Sequence, residues 1–298
     1  MFVDVLMDAV IDTLKLIPFL FLTYLAMEYL EHKTGDKSKT ALRKAGRFGP
    51  IAGGVIGAFP QCGFSAAASS LYSGGVITVG TLMAVFLSTS DEMLPIFISE
   101  AVPGGLIFKI LGIKVVLGII TGLVIDFGWK FVAGKRRESE EKHHHHKDHH
   151  EKDIHDLCEH EHCHCEEGSI LKSAILHTLQ ITLFIFLISF VIGFAVELVG
   201  EDQIAAILAN RPIVGVFLAG IVGLIPNCAA SVVITQLYLA GVLGLGQMMA
   251  GLLVGAGVGI LVLCRTNSNA RENLSIIGLL YAVGVFWGIL IEVLKITL

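Results

Sequence analysis

Charge is scarce in this sequence. The 21 Lys and Arg and 26 Asp and Glu make up 16% of 298 residues, where soluble globular domains carry about 25%. With 54% hydrophobic residues and a mean hydropathy of +0.76, that scarcity excludes an ordinary soluble domain and points to a polytopic membrane protein. No Gly-x-x-x-x-Gly-Lys-Ser/Thr loop is present to cradle phosphates, so the chain does not hydrolyse ATP. No His-Glu-x-x-His helix is present either, since His150-Glu151 is followed by His155, one residue too far. An enzyme is not expected, and nothing suggests nucleic-acid binding. The six cysteines do not form a disulfide framework: three lie in apolar segments and three in a His-rich linker. A basic leader is missing as well. Asp4 and Asp8 precede the first apolar run, so residues 9–30 read as a retained span, not a cleaved signal.

What the chain does have is apolar length. Runs near 9–30, 76–99, 109–131, 173–198, 242–263 and 274–294 are each long enough to cross ~30 Å of hydrocarbon as a helix.

It also repeats itself. Phe59-Pro60-Gln61-Cys62-Gly63-Phe64-Ser65 returns as Ile225-Pro226-Asn227-Cys228-Ala229-Ala230-Ser231, an offset of 226 − 60 = 166. The same offset sets Leu71-Tyr72 on Leu237-Tyr238, Gly75-Val76 on Gly241-Val242, Gly80 on Gly246 and Met83-Ala84 on Met249-Ala250. Further out it pairs Glu31 with Glu197, Gly57 with Gly223, Gly122 with Gly288 and Asp126 with Glu292. Between residues 60 and 87, 11 of 28 aligned positions are identical, too many for shared apolar composition alone. The chain is a duplication whose copies each carry a Pro-amide-Cys interruption.

Loop charges set the expected orientation. Lys33, Lys37, Lys39, Arg43, Lys44 and Arg47 face one acid, Asp36, so the loop after the first span reads as cytoplasmic and the N-terminus as external. If residues 49–73 form a hairpin of two short helices with Pro60-Gln61-Cys62 at its tip, Lys130, Lys135, Arg136 and Arg137 also fall inside. One broken helix crossing the membrane would put that cluster outside, so the hairpin is preferred. In the second copy the corresponding first loop is acidic at Glu201-Asp202, while Arg265 and Arg271 return to the inside. The expected fold is therefore all-α and polytopic: two inverted-topology repeats of about five helical pieces each, with a broken-helix hairpin at each tip. The expected domains are 1–134, a cytoplasmic linker 135–168, and 169–298, with both termini outside a cytoplasmic membrane. A homodimer is left open.

Three groups of residues carry chemistry. At each tip one thiol (Cys62, Cys228) follows an amide (Gln61, Asn227) and precedes a hydroxyl (Ser65, Ser231) by three residues. A lone membrane cysteine is commonly a small hydrophobe, but here both thiols directly follow a helix break and both survive the duplication. Asp91 and Glu92 stand inside an apolar run, where ionisable groups face a cavity, pair with a charge or relay protons; the alternative is that the span ends near Ser88 and they are interfacial. Lys109 and Lys114 are their candidate partners, or snorkelling side chains. In the linker, His143, His144, His145, His146, His149, His150, His155, Cys158, His160, His162, Cys163, His164 and Cys165 offer imidazole and thiolate ligands for zinc and neighbouring metals. With almost no apolar residues, that segment is expected to lack order without a ligand. Glu31/Glu197 and Asp126/Glu292 read as interfacial anchors, and Asn267, Asn269 and Asn273 as capping residues.

On the Pro60-Gln61-Cys62-Gly63 and Pro226-Asn227-Cys228 tips, the Ser90-Asp91-Glu92 segment and the His-rich centre, the chain resembles the ten-transmembrane heavy-metal exporter family. Members are variously labelled arsenic efflux proteins or manganese transporters. The resemblance covers nearly the whole chain and implies ten helical pieces. It is similar, more distantly, to the organoarsenical permeases, whose motifs carry paired cysteines where each tip here has one.

The expected function is secondary export of a transition or heavy-metal cation, coupled to an ion or proton, with no cofactor required beyond the metal handled. Thiols favour Zn, Cd, Co, Ni or Cu, while carboxylate and amide keep Mn in view. Efflux of arsenite or an organoarsenical, and a membrane metal sensor or scaffold without transport, are the alternatives.

Overall fold

The computed structural model describes residues 48–90, 92–140, 170–199 and 212–296, and within the first apolar run residues 5–7, 9–11, 13–15, 17–18, 20–22 and 24–25. Helices dominate, and no strand occurs among the described residues.

The first copy contains α1 (Gly49–Gly57), α2 (Cys62–Ser73), α3 (Val79–Ser88), α4 (Met93–Ser99) and α5 (Gly104–Glu140). The second opens with α6 (Ile170–Val199) and continues with α7 (Pro212–Gly223), α8 (Cys228–Leu239), α9 (Leu245–Val254), α10 (Gly259–Thr266) and α11 (Ala270–Val293). The expected linker begins inside α5, which runs on through residues 135–140; residues 141–169 and the loop between residues 200 and 211 lie outside the described residues.

Local chemistry sets the helix ends, and it does so twice. Pro60 has no N–H to extend α1, and Gln61 N instead donates to Phe59 O at 2.8 Å, spanning the proline in a three-residue turn. Across Pro226, Asn227 N donates to Ile225 O at 2.7 Å in the same way. α2 and α8 both end on a left-handed glycine, Gly75 with φ 71° and Gly241 with φ 73°. Val76 N then reaches back to Leu71 O, and Val242 N to Leu237 O, each at 2.9 Å, the closing bond of a Schellman motif.

One expectation changes here. The run 76–99 is not a continuous helix: it stops at Ser88 and restarts at Met93. Its counterpart stops at Val254 and restarts at Gly259, so each copy holds a second interruption beside its Pro-amide-Cys tip. Hydropathy runs straight through the one at Gly255-Ala256-Gly257, while polar residues from Ser88 to Glu92 mark the other.

Among the described residues, five helical stretches are long and apolar enough to cross a membrane: Val79–Ser99, Gly104–Gly128, Ala174–Val191, Leu245–Thr266 and Ala270–Val293. They match five of the six expected runs; the first run is described only in part. The two interrupted stretches are the inner ones, 71% and 83% buried, against 24–33% for the others. Non-helical backbone at membrane depth is tolerated only when buried in protein or lining a wet cavity, and here the uninterrupted helices supply the cover.

Small residues let the inner helices approach closely. A Cβ on Gly118 would lie 2.9 Å from Ala84 O, and one on Gly122 2.9 Å from the Pro50 Cβ. At the positions 166 residues on, a Cβ on Gly284 would meet Val254, and one on Gly288 would lie 2.9 Å from Val216 Cγ1. α5 thus seats on α1 and α3 as α11 seats on α7 and α9. The directions also follow. On α1, Gly53 faces Thr81 and Gly57 faces Val85, so α1 and α3 run the same way. On α5, Gly118 faces Ala84 and Gly122 faces Gly80, so α5 runs opposite to both.

The copies also exchange contacts. Ser69 Oγ on α2 donates to Gly259 O on α10 at 2.7 Å, and the Ser73 and Thr266 hydroxyls pair at 2.7 Å. In the reciprocal direction, Phe97 on α4 meets Tyr238 on α8 with ring centroids 6.4 Å apart. One shared core runs through both copies, from Leu82 and Phe86 to Leu252 and Leu263.

Candidate functional site

The tips and the interruptions lie at one level of the fold. Gly57, the last residue before the first tip, faces Val85, at the last turn of α3. Ser65 packs on Gly259, the first residue of α10, so that a Cβ there would lie 2.9 Å from the Ser65 Cβ. Gly223, at the end of α7, sits against Gly251, near the end of α9. The chain therefore turns or unwinds at this depth in both copies.

At the first tip Gln61 is exposed and Cys62 half-buried. Gln61 occupies the N-cap position of α2 without a side-chain capping bond. Cys62 packs against the buried cluster that Leu20, Tyr24, Ala66, Ala174, Ile181, Ile185, Val258 and Val262 form. At the second tip Cys228 is buried, and the Asn227 side chain caps α8 by accepting from Ala229 N at 3.1 Å. That bond occupies the amide oxygen, while its nitrogen points at Ser189 O at 3.4 Å. Ser65 and Ser231 each donate to the carbonyl of the tip cysteine, Cys62 O and Cys228 O, at 2.8 Å. They keep lone pairs for a ligand, but their protons are committed. No disulfide forms among the described cysteines Cys62, Cys228 and Cys264.

At the first interruption Ser88, Thr89 and Ser90 are buried at 0%, 3% and 1% exposure. Glu92 is half-buried at the N-cap position of α4, where the positive end of a helix dipole favours a carboxylate. Glu92 therefore follows an interruption whose residues Ser88, Thr89 and Ser90 are surrounded by protein. Asp91 lies outside the described residues, as do all thirteen histidines and cysteines named in the 143–165 linker.

For Lys114 one of the two expected readings falls. Snorkelling is ruled out by its 1% exposure; its ammonium donates to Thr89 O and, at 3.0 Å, to Leu252 O, joining the interruptions of the two copies. Its place in the sequence carried a signal. It stands 114 − 104 = 10 residues into the stretch Gly104–Gly128, about 15 Å at helical rise, deep for a side chain that must reach the surface. Lys109 is exposed.

A second residue missed from sequence is Ser189 on α6. It is 9% exposed, and its hydroxyl has no hydrogen-bond partner although its carbonyl meets Asn227. Buried polar groups are nearly always paired, and this one lies unpaired beside the second tip. A lone serine in an apolar helix gives no such warning.

The symmetry-related acids are structural. Asp126 Oδ2 accepts from Thr78 Oγ1 at 2.7 Å and Oδ1 from Gly80 N at 3.0 Å, fastening α5 to the start of α3. Glu292 sits against Gly244 and Gly246 at the start of α9. Glu31 and the side chain of Glu197 lie outside the described residues. The asparagines cap: Asn269 Oδ1 accepts from Glu272 N, and Asn267 and Asn273 bond each other at 2.6 and 2.8 Å.

The sequence profile of a family described as "Putative, 10TM heavy-metal exporter" matches residues 1–199. The chain belongs to this family. The match takes in the first tip, the Asp91-Glu92 interruption, Lys114, the linker and α6. No curated protein and no solved structure matches. For a member of an exporter family, the described residues hold no preassembled cluster of three or more His, Cys, Asp or Glu side chains; the tips offer thiols, amides and hydroxyls instead.

Proposed function

We propose that the chain is a secondary exporter of a transition or heavy-metal cation, built as two inverted-topology repeats. Gln61, Cys62, Ser65, Asn227, Cys228 and Ser231 line its pathway, with Asp91 and Glu92 supplying negative charge. The observation that carries this is the single level at which two Pro-amide-Cys tips and two interrupted helices meet inside a shell of uninterrupted ones. Secondary carriers built from inverted repeats place substrate there, near the midplane between the copies. A two-fold relation between the copies is supported by the reciprocal exchange of α2 with α10 and α4 with α8, the pattern such a relation generates. Two helices as short as α1 and α2, about 14 and 18 Å at helical rise, suit a hairpin that enters and leaves on one side.

The linker of histidines and cysteines would collect metal at the cytoplasmic face and load the carrier from inside. Soft thiols favour Zn, Cd, Co, Ni or Cu over Mn.

A second reading has one observation in its favour. The buried ammonium of Lys114 adds positive charge near the pathway, which suits a neutral thiophile such as arsenite better than a divalent cation. Purified protein in liposomes, tested for flux of each metal and of arsenite with and without a pH gradient, separates the two. Metal flux that follows the gradient supports cation export; arsenite flux without metal flux replaces it. Flux of neither, with metal still bound through residues 143–165, would make the chain a sensor.

A further inference from the structure

Lys114 does more than neutralise charge; what it bonds to says what it stands in for. Leu252 O belongs to the last turn of α9, and the next amide that would close on it, Ala256 N, bonds Val254 O at 2.8 Å instead. Thr89 O lies one residue beyond the end of α3. Both acceptors are therefore carbonyls orphaned at the C-terminal ends of interrupted helices, where the helix dipole is negative. Carriers with interrupted helices use unwound carbonyls and half-helix C-termini at this depth to coordinate a sodium ion or a proton. In this chain the carbonyls already hold a cation, and it is covalently attached.

The charge is also one-sided. The position 166 residues from Lys114 is Leu280, buried at 0% exposure. Opposite Asp91 and Glu92 stand Gly257 and Val258, both buried. The first copy thus brings the Lys114 ammonium and the Glu92 carboxylate to its interruption, and the second copy brings backbone.

We propose that Lys114 is a tethered cation occupying the carbonyl cradle that would otherwise take an alkali-metal ion, so that transport by this protein needs no sodium. The inference rests on the carrier reading above but not on which substrate is carried. Lys114 acts as a positioning residue: it fixes the ends of α3 and α9 relative to each other, as a bound ion would.

The test uses the full-length protein and two readouts. In proteoliposomes, wild-type flux should change less than twofold when choline replaces sodium. Lys114→Ala should lose at least tenfold and regain several-fold with millimolar sodium or methylammonium, while Lys114→Met, which fills the space without charge, should lose flux without rescue. In detergent, sodium or methylammonium should raise the thermal midpoint of Lys114→Ala but not of the wild type. A wild type whose flux collapses without sodium, a wild type stabilised by sodium, or a Lys114→Ala variant that either cation fails to stabilise would overturn the proposal. If no substrate moves at all, the carrier reading fails while the thermal arm still decides Lys114. If Lys114→Ala does not fold, sodium binding by the wild type decides it: none is expected, and saturable binding would refute it.

Discussion

Trp287 Nε1 donates to Thr121 Oγ1 at 3.1 Å, and the two residues are each other's counterparts, since 287 − 121 = 166. A position that touches its own duplicate lies beside the relation that connects the copies. At this contact α5 meets α11, and the bond joins a buried hydroxyl to an indole across the centre of the duplication. An intramolecular hydrogen bond contributes about 1 kcal/mol net. Trp287→Phe and Thr121→Val should each lower stability by roughly that amount, and the double variant should cost less than the sum, as expected of a coupled pair. Thermal and denaturant unfolding in detergent measure the cycle; strict additivity would show that the contact joins nothing.

Close helix approach predicts a contrast between glycines. Gly122→Ala would place a Cβ against Gly80 O and 2.9 Å from the Pro50 Cβ, whereas Gly112 has nothing within 4 Å. Overpacking should cost Gly122→Ala about 1–3 kcal/mol. Gly112→Ala should be neutral or stabilising by up to about 1 kcal/mol from helix propensity. Gly288→Ala should behave like Gly122→Ala if the copies are packed alike. Unfolding midpoints of the three variants decide it.

Ser189 separates a ligand from a packing defect. Its hydroxyl is buried without a partner, so Ser189→Ala should leave stability unchanged or improve it by about 1 kcal/mol. If the hydroxyl serves the second tip, the same variant should lower flux several-fold. A variant that is stable and fully active would leave Ser189 outside the pathway.

Much of this was legible in the sequence because it depends on patterns that survive projection onto one dimension. Apolar length marks spans, the 166-residue offset marks duplication, and a proline inside an apolar run marks a tip. The second interruption was hidden because Gly255-Ala256-Gly257 remains hydrophobic, so a break in hydrogen bonding made no break in hydropathy. The bonds from Lys114 to Thr89 O and Leu252 O were hidden for another reason: their acceptors are backbone carbonyls, which every residue has, so no side-chain pattern could name them. Ser69 on Gly259 and Phe97 on Tyr238 were likewise invisible, since contact between distant segments depends on how the copies close on each other. The linker ligands from His143 to Cys165, which composition made conspicuous, lie outside the described residues.

The tip thiols are tested by conservative replacement. Cys62→Ser and Cys228→Ser keep size and a polar atom but replace a soft ligand by a hard one, which thiophilic metals resist. Neither sulfur is in a disulfide, so stability should change by less than about 1 kcal/mol. Each single variant should lose at least fivefold in flux, and size-exclusion profiles should match the wild type.

Transport itself is measured most directly with purified protein in liposomes, following uptake of Zn, Cd, Co, Ni, Cu, Mn and arsenite with and without an imposed pH gradient, in the wild type and in the Cys62→Ser/Cys228→Ser double variant. A carrier whose thiols hold the substrate at the level of the tips should move at least one of these metals, faster with the gradient, and lose tenfold or more in the double variant. Equal flux in both proteins, or none in either while the fold is intact, would contradict it.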